Sequence, residues 1–280
     1  MTGRRRAERG DVMTRFDYSR LVDRNIGILD ERRQATLRDS PMAVFGLGGL
    51  GGVIAQVLVR AGVTSLALVD NDRFEPTDLN RQVYAYDDTL GELKTEATGR
   101  QLKKINPELS VRKFVSVSEA NVGEILEGAK VALLAIDKIE PCLVVSRAAR
   151  ERGVPLVEGW AIPFANARVF DRHTPTLEET YGLPTAGRPL SDFSAEDFGR
   201  LGLAMLETLL KIEGVAGYYP PAAVERIRRG ETPSFAPFVW LTATLMALEA
   251  IKVALGWGNV ASAPAYALYD PVVHRIPRQE

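Results

Sequence analysis

The segment Gly46-Leu-Gly-Gly-Leu-Gly-Gly52 limits what this chain can fold into more than any other stretch of it. It follows a short apolar run, Met42-Ala-Val-Phe45, and opens an amphipathic run from Val53 to Ala61 that Gly62 closes. Ser65-Leu-Ala-Leu-Val69 and Asp70 come next. Strand, glycine turn, helix, strand and terminal acid together make a βαβ unit. A glycine turn lets backbone approach a phosphate and aims helix N-terminal amides at it. An acid closing the second strand can accept hydrogen bonds from ribose hydroxyls. Gly46, Gly48, Gly49, Gly51 and Asp70 are therefore candidate nucleotide-binding residues. The loop alone resembles a dinucleotide motif and leaves the identity of the nucleotide open.

The rest of the chain continues the alternation. The patterns predict mostly helix over 17–40, helix at 91–105, strand at 110–115, helix near 118–127 and strand at 131–135. A helix at 141–152 and strands at 154–158 and 166–170 follow. This predicts an α/β fold: a Rossmann-like, mostly parallel sheet with helices on both faces, extended by further strands. Residues 171–236 carry six prolines with short helical pieces between them and read as an irregular excursion with a helix near 194–212. A helix at 238–255 and a strand at 265–270 return to the core. The expected organisation is an N-terminal arm and helices (1–40), a nucleotide-binding core (41–170), a crossover segment (171–236) and a C-terminal helix and strand (237–280). Phe235–Leu255 is apolar, but Pro237, Glu249 and Lys252 interrupt it, so it is expected to be a core helix rather than a membrane span. The arginine-rich start has no apolar run behind it, which argues against a secretory signal. It reads as a disordered or over-extended start, with Met13 as the true initiator, rather than as a nucleic-acid arm. A cytoplasmic protein is expected.

The residues after Asp70 distinguish between nucleotides. Asp70-Asn-Asp72 precedes Asp78-Leu-Asn-Arg-Gln82 and Gly91-Glu-Leu-Lys94. Hydride chemistry on NAD has no use for a lysine and an arginine here, and no Tyr-x-x-x-Lys pair or catalytic histidine stands ready for it. A triphosphate does need them, because Arg81 and Lys94 can neutralise charge building on a leaving pyrophosphate. Asn80 and Gln82 can fix phosphate or carboxylate oxygens.

At this point the sequence resembles the ThiF/MoeB/HesA family of ubiquitin-activating-like adenylyltransferases. The resemblance rests on the glycine loop, Leu68-Val-Asp-Asn-Asp72, Leu79-Asn-Arg-Gln82, Gly91–Lys94, Ile105-Asn-Pro107, Ala135-Ile-Asp137, Val154–Val157, Ala247–Lys252 and Tyr269-Asp270. It implies attack of a carboxylate on the α-phosphate of ATP, giving an acyl-adenylate and pyrophosphate. The carboxylate would be the C-terminus of a small ubiquitin-like or sulfur-carrier protein, or of a peptide. On that basis Arg81, Lys94, Asp137 and Arg24 become catalytic candidates. Gly46, Gly48, Gly49, Gly51, Asp70, Asp72, Asn80 and Gln82 become nucleotide-binding candidates, and Asp137 the Mg²⁺ ligand. The family also implies a homodimer, with an N-terminal arginine, Arg20 or Arg24, often acting across it. Gly159-Trp160-Ala161 and the crossover segment are expected to form a channel for the substrate tail.

The departures from the family pattern narrow the chemistry. Many relatives hold zinc with two CxxC pairs; this chain has one cysteine, Cys142, and two histidines, so no zinc is expected. Cys142 stands five residues after Asp137, where the family usually has a cation, and Lys138 is the neighbouring substitute. The crossover 171–236 has no cysteine, which removes a thioester route through it. Two alternatives remain: a relative of the tRNA threonylcarbamoyladenosine dehydratases, and a nucleotide-binding scaffold weakened in transfer. The 35 basic and 36 acidic residues give a net charge of −1, which disfavours a nucleic-acid partner and the first alternative.

Overall fold

The computed structural model describes residues 16–229 and 233–277, so the arginine-rich start, including Met13, lies outside the described residues. Seven strands form one sheet in the order β3-β2-β1-β4-β5-β6-β7. They are β1 (Met42–Phe45), β2 (Ser65–Val69), β3 (Ser110–Phe114), β4 (Val131–Leu134), β5 (Leu156–Glu158), β6 (Ala165–Phe170) and β7 (Ala267–Tyr269). β1 pairs in parallel with β2 and β4, and β3 and β5 extend this parallel block on either side. β6 and β7 are the added strands, each antiparallel to its predecessor in the sheet. The sheet is thus Rossmann-like and extended, as the alternation predicts.

The pleat divides the core between two faces. Met42 and Val44 of β1, with Leu66, Leu68, Val131 and Leu133, face α2 (Glu31–Arg38), α3 (Gly49–Ala61), α4 (Lys94–Ile105) and α10 (Ala236–Leu255). Ala43, Phe45, Ala67, Val69, Ala132 and Leu134 face α5 (Val122–Ile125), α6 (Ile139–Arg152), α7 (Leu177–Tyr181) and α8 (Ala195–Leu210). Both faces are covered, so the strands are nearly continuous hydrophobic runs, as parallel strands must be. α10 is long and apolar enough to cross a membrane by length and composition, yet Val239, Ala243, Met246, Ala247 and Ala250 are buried against α3 and the sheet. It is a core helix with one apolar side left exposed.

The stretch 17–40 is mostly helical, as expected, in two pieces: α1 (Tyr18–Val22) and a 3-10 turn at Asp23–Asn25 precede a break, where Gly27 takes φ 111°, before α2 begins with Asp30 as its cap. Two expectations need correcting. α3 begins at Gly49, four residues before its apolar pattern starts, because glycines carry no side chain to register the period. The crossover is more ordered than its prolines suggest. Leu177, Leu183, Leu190, Phe198 and Met205 are buried in the cluster that contains α6, and α9 (Pro221–Arg228) follows a proline cap.

Candidate nucleotide-binding site

Chain order runs outward from β1 to β3 on one side and from β4 onward on the other, so the switch point of the sheet lies between β1 and β4. Ligands of open α/β sheets bind outside the carboxyl ends of the strands at that point. The glycine turn sits there. Gly46 takes φ 90°, and a β-carbon on it would overlap the Ala135 carbonyl at the end of β4. A β-carbon at Gly51 would overlap the carbonyl oxygen of Gly46 itself. At Gly48 a β-carbon would meet nothing closer than 3.7 Å, the end of Gln82. Gly46 and Gly51 therefore close the turn on itself, while Gly48 leaves open the space a phosphate needs. Gly49 is the first residue of α3, where amides are unpaired within the helix.

Asp70 braces the turn from the end of β2. One carboxylate oxygen accepts from the Leu47 amide at 2.6 Å and the other from the Asp72 amide at 2.8 Å. Burial pushes its pKa above the ordinary carboxylate value, against these hydrogen bonds and the nearby Lys94. A carboxylate held by two backbone amides still has lone pairs for ribose hydroxyls.

Beyond Asp70, one residue outside the set of site candidates organises those within it. Asp78, almost fully buried, accepts a hydrogen bond from the Gln82 amide and one from the Glu75 backbone amide at 3.1 Å. It pairs with Arg81 at 3.4 Å and with Lys94 at 3.7 Å. Lys94, the first residue of α4, is also buried and pairs with Asp72 at 3.6 Å. Arg81 folds back on its own turn, donating to the Thr77 carbonyl and the Asn80 side chain, both at 2.8 Å. The Asn80 amide donates to the Ser234 carbonyl at 3.0 Å, and the Trp240 indole donates to the Arg81 carbonyl at 2.8 Å. So Asp72, Asn80, Arg81, Gln82 and Lys94 are brought together, with Asp78 at their centre. The signal for Asp78 was its spacing: residues three and four apart share one side of a helical turn, and here these are Arg81 and Gln82.

Asp137 lies exposed just past β4, beside the Ala135 carbonyl that Gly46 approaches, and Lys138 next to it is exposed too. Cys142 is different. It is buried in α6, its thiol lies 3.4 Å from the Ile136 carbonyl, and burial, then Glu158 and Asp137, push its pKa well up. A thiol so held is not a nucleophile; Cys142 packs the core beneath the Asp137 loop. Trp160 is half-buried at the carboxyl edge, and its indole donates to the Tyr181 hydroxyl at 2.7 Å. That hydroxyl also donates to Glu158, which pairs with the buried Arg168 at 2.7 Å. Trp160 is thus tied into a buried hydrogen-bond network with Tyr181, Glu158 and Arg168.

Arg24 is not brought to this site within the chain. Its neighbour Asn25 donates to the Ala61 carbonyl, at the far end of α3 from the glycine turn. At 1.5 Å rise per residue, the helix puts roughly 18 Å between them, more than an arginine side chain spans. Arg20, on the exposed surface of α1, belongs to the same distant end, where Tyr18 donates to the Gly62 carbonyl.

A glycine turn at a switch point, a braced ribose acid, and a buried lysine with an arginine beyond it define a Rossmann-like protein equipped for a nucleoside triphosphate. The chain belongs to the ThiF family, whose model matches residues 21–279. It is 35% identical over 146 residues to the SAMP-activating enzyme E1 of Haloferax volcanii, covering 51% of this chain and 52% of that one. It is 30% identical over 227 residues to the sulfur carrier protein adenylyltransferase of Thermus thermophilus, covering 81% and 73%. The chain thus spans about half the length of the first of these relatives. Its fold matches the crystal structure of the E. coli tRNA N6-threonylcarbamoyladenosine dehydratase bound to AMP, with a TM-score of 0.62 at 19% identity, over 85% of this chain and 95% of that one.

Proposed function

We propose that this protein uses ATP to activate a carboxylate as its acyl-adenylate, the substrate being the C-terminus of a ubiquitin-like or sulfur-carrier protein or of a peptide. The observation that carries this is the buried Lys94 beside Arg81, one strand beyond a phosphate-binding turn. In the reaction a carboxylate oxygen bonds to the α-phosphorus, and the bond from that phosphorus to the bridging oxygen breaks. Its electron pair leaves with pyrophosphate, where Lys94 and Arg81 meet the charge. Asp70 holds the ribose, and Gly48 with the α3 amides takes the phosphates. Relatives named as adenylyltransferases support the same chemistry.

The charge of the site supports Mg²⁺ as cofactor. Asp70, Asp72, Asp78 and Asp137 outnumber Arg81, Lys94 and Lys138, so a triphosphate would enter a pocket already negative. An exposed Asp137 beside the turn suits a hard cation held by few carboxylates and phosphate oxygens. With one cysteine in the chain, no thiolate zinc site can be built. With Cys142 sealed, the adenylate goes to an external nucleophile or is itself the product. ATP with labelled pyrophosphate and a Gly-Gly-ended carrier should give exchange, and Asp137→Ala should abolish it. No exchange with any carrier encoded beside this protein would sink the proposal, and a shift of tRNA at physiological salt would favour the RNA-modifying alternative.

The protein further acts as a homodimer. Trp240, Leu241 and Leu248 repeat on the exposed side of α10, and exposed Leu79 lies on the turn packed against its start. An apolar stripe of this kind marks an interface. In a dimer, Arg24 can serve the neighbouring site that it cannot reach at home. Mixing inactive Lys94→Ala and Arg24→Ala proteins should then restore about a quarter of the wild-type sites, since half the dimers become mixed and each has one intact site. No recovery after subunit exchange would exclude Arg24 in that role.

A further inference from the structure

Asp78 plays a part in nucleotide binding that the adenylation chemistry does not ask for. The reaction needs cations around the phosphates; Asp78 is an anion among them. Its carboxylate is as buried as Lys94, and it lies within 3.4 Å of Arg81 and 3.7 Å of Lys94. It also takes the Gln82 amide, so three groups suited to phosphate oxygens converge on one carboxylate. The Glu75 amide fixes that carboxylate from behind, and the short 3-10 turn Pro76–Asp78 leaves it little freedom to withdraw. The Arg81 stem passes beside Gly49 of the glycine turn, while its guanidinium is engaged by the Thr77 carbonyl, Asn80 and Asp78.

Resting on the adenylation proposal above, we propose that Asp78 is a positioning residue that sets the affinity for the triphosphate. Its carboxylate occupies the place of a phosphate among these groups, holding Lys94 and Arg81 paired and in position. When the nucleotide arrives, the phosphates must take these cations from it. Nucleotide entry is then an exchange of anions, and binding is weaker than the cations alone would give. Two like charges sharing one lysine in a partly desolvated site repel, and the repulsion is reduced by salt. The exchange also favours release, because Asp78 recovers its partners as pyrophosphate departs.

Asp78→Asn keeps the shape of the side chain and removes its charge. It retains one acceptor oxygen, which can still take the Glu75 backbone amide, while its new NH₂ can donate to a turned Gln82 amide. Binding of ATP with Mg²⁺ to the full chain, without carrier, is measured by calorimetry. The variant is expected to bind about tenfold more tightly at low ionic strength, with the gain shrinking as salt rises. In a Lys94→Met background the same change should gain less than about threefold, because the cation contested by the two anions is gone. A residue that only holds the turn together would weaken binding when altered, so the direction of the change separates the two roles. Unchanged or weaker ATP binding by folded Asp78→Asn would overturn the proposal, as would a gain that persists in full without Lys94. Asp78→Ser, which still accepts from the Glu75 amide, gives the same comparison should the asparagine variant fold poorly. Failure of the wild type to bind ATP at all would overturn the adenylation proposal as well, and so is told apart from failure of Asp78 alone.

Discussion

Lys94→Ala is expected to lower carrier-dependent pyrophosphate exchange by about 10²- to 10³-fold, the effect of removing one fixed charge donor from a developing anion. The expectation rests on burial. Lys94 keeps only a small exposed fraction, so its charge acts through low-dielectric surroundings where water screens it little. The loss should fall on kcat more than on the KM for ATP, since Lys94 meets the charge that builds as pyrophosphate leaves. Stability should fall too. Asp78 is left buried with Arg81 as its remaining cation and Gln82 and the Glu75 amide as its donors. That residual support keeps the cost to about 1–3 kcal/mol, below the full penalty for an uncompensated buried charge. Exchange assays and thermal unfolding of the same preparation check both. Exchange within threefold of wild type in a folded variant would remove Lys94 from the reaction.

Gly51→Ala is expected to destabilise the protein by about 3 kcal/mol or more, a fall in Tm of roughly 6–12 °C, with loss of ATP binding. The new methyl would overlap the Gly46 carbonyl, which is backbone and cannot rotate aside. Relief requires α3 to slide from the end of β1, and that opens the phosphate turn. Gly48→Ala provides the contrast. Its methyl meets nothing closer than 3.7 Å, so Tm should move by no more than about 2 °C. ATP affinity should nevertheless fall by about tenfold, because the methyl occupies space that the phosphate approaches. Thermal unfolding and calorimetry on the two variants test the assignment of one glycine to packing and the other to ligand. Equal effects on stability would refute it.

Much of this architecture was legible in the chain. The strands came through because parallel strands covered on both faces must be short, continuous apolar runs, and Met42–Phe45, Ser65–Val69 and Val131–Leu134 are such runs. The start of α3 was not legible, because its first turn is mostly glycine and shows no period. The order within the crossover was hidden by its prolines. What holds that segment is long-range burial of Leu177, Phe198 and Met205 against α6, which no local pattern announces.

The site divides along the same line. By itself the sequence determined the chemistry available: five glycines between strand and helix, an acid after the second strand, an arginine and a lysine further on, and a single thiol. These depend on residue type and near spacing, which a one-dimensional string preserves. Only the tertiary structure decided which glycines close the turn and which leaves room, since that depends on a β-carbon meeting a carbonyl from elsewhere in the fold. It decided that Cys142 is sealed, because exposure is set by what packs over a residue. It placed Arg24 at the wrong end of α3 for its own pocket, because distance along a helix is fixed by its rise and not by motif order. It also brought the distant Lys94 to the local Asp78–Arg81 pair, a meeting of charges that only the folded chain brings about.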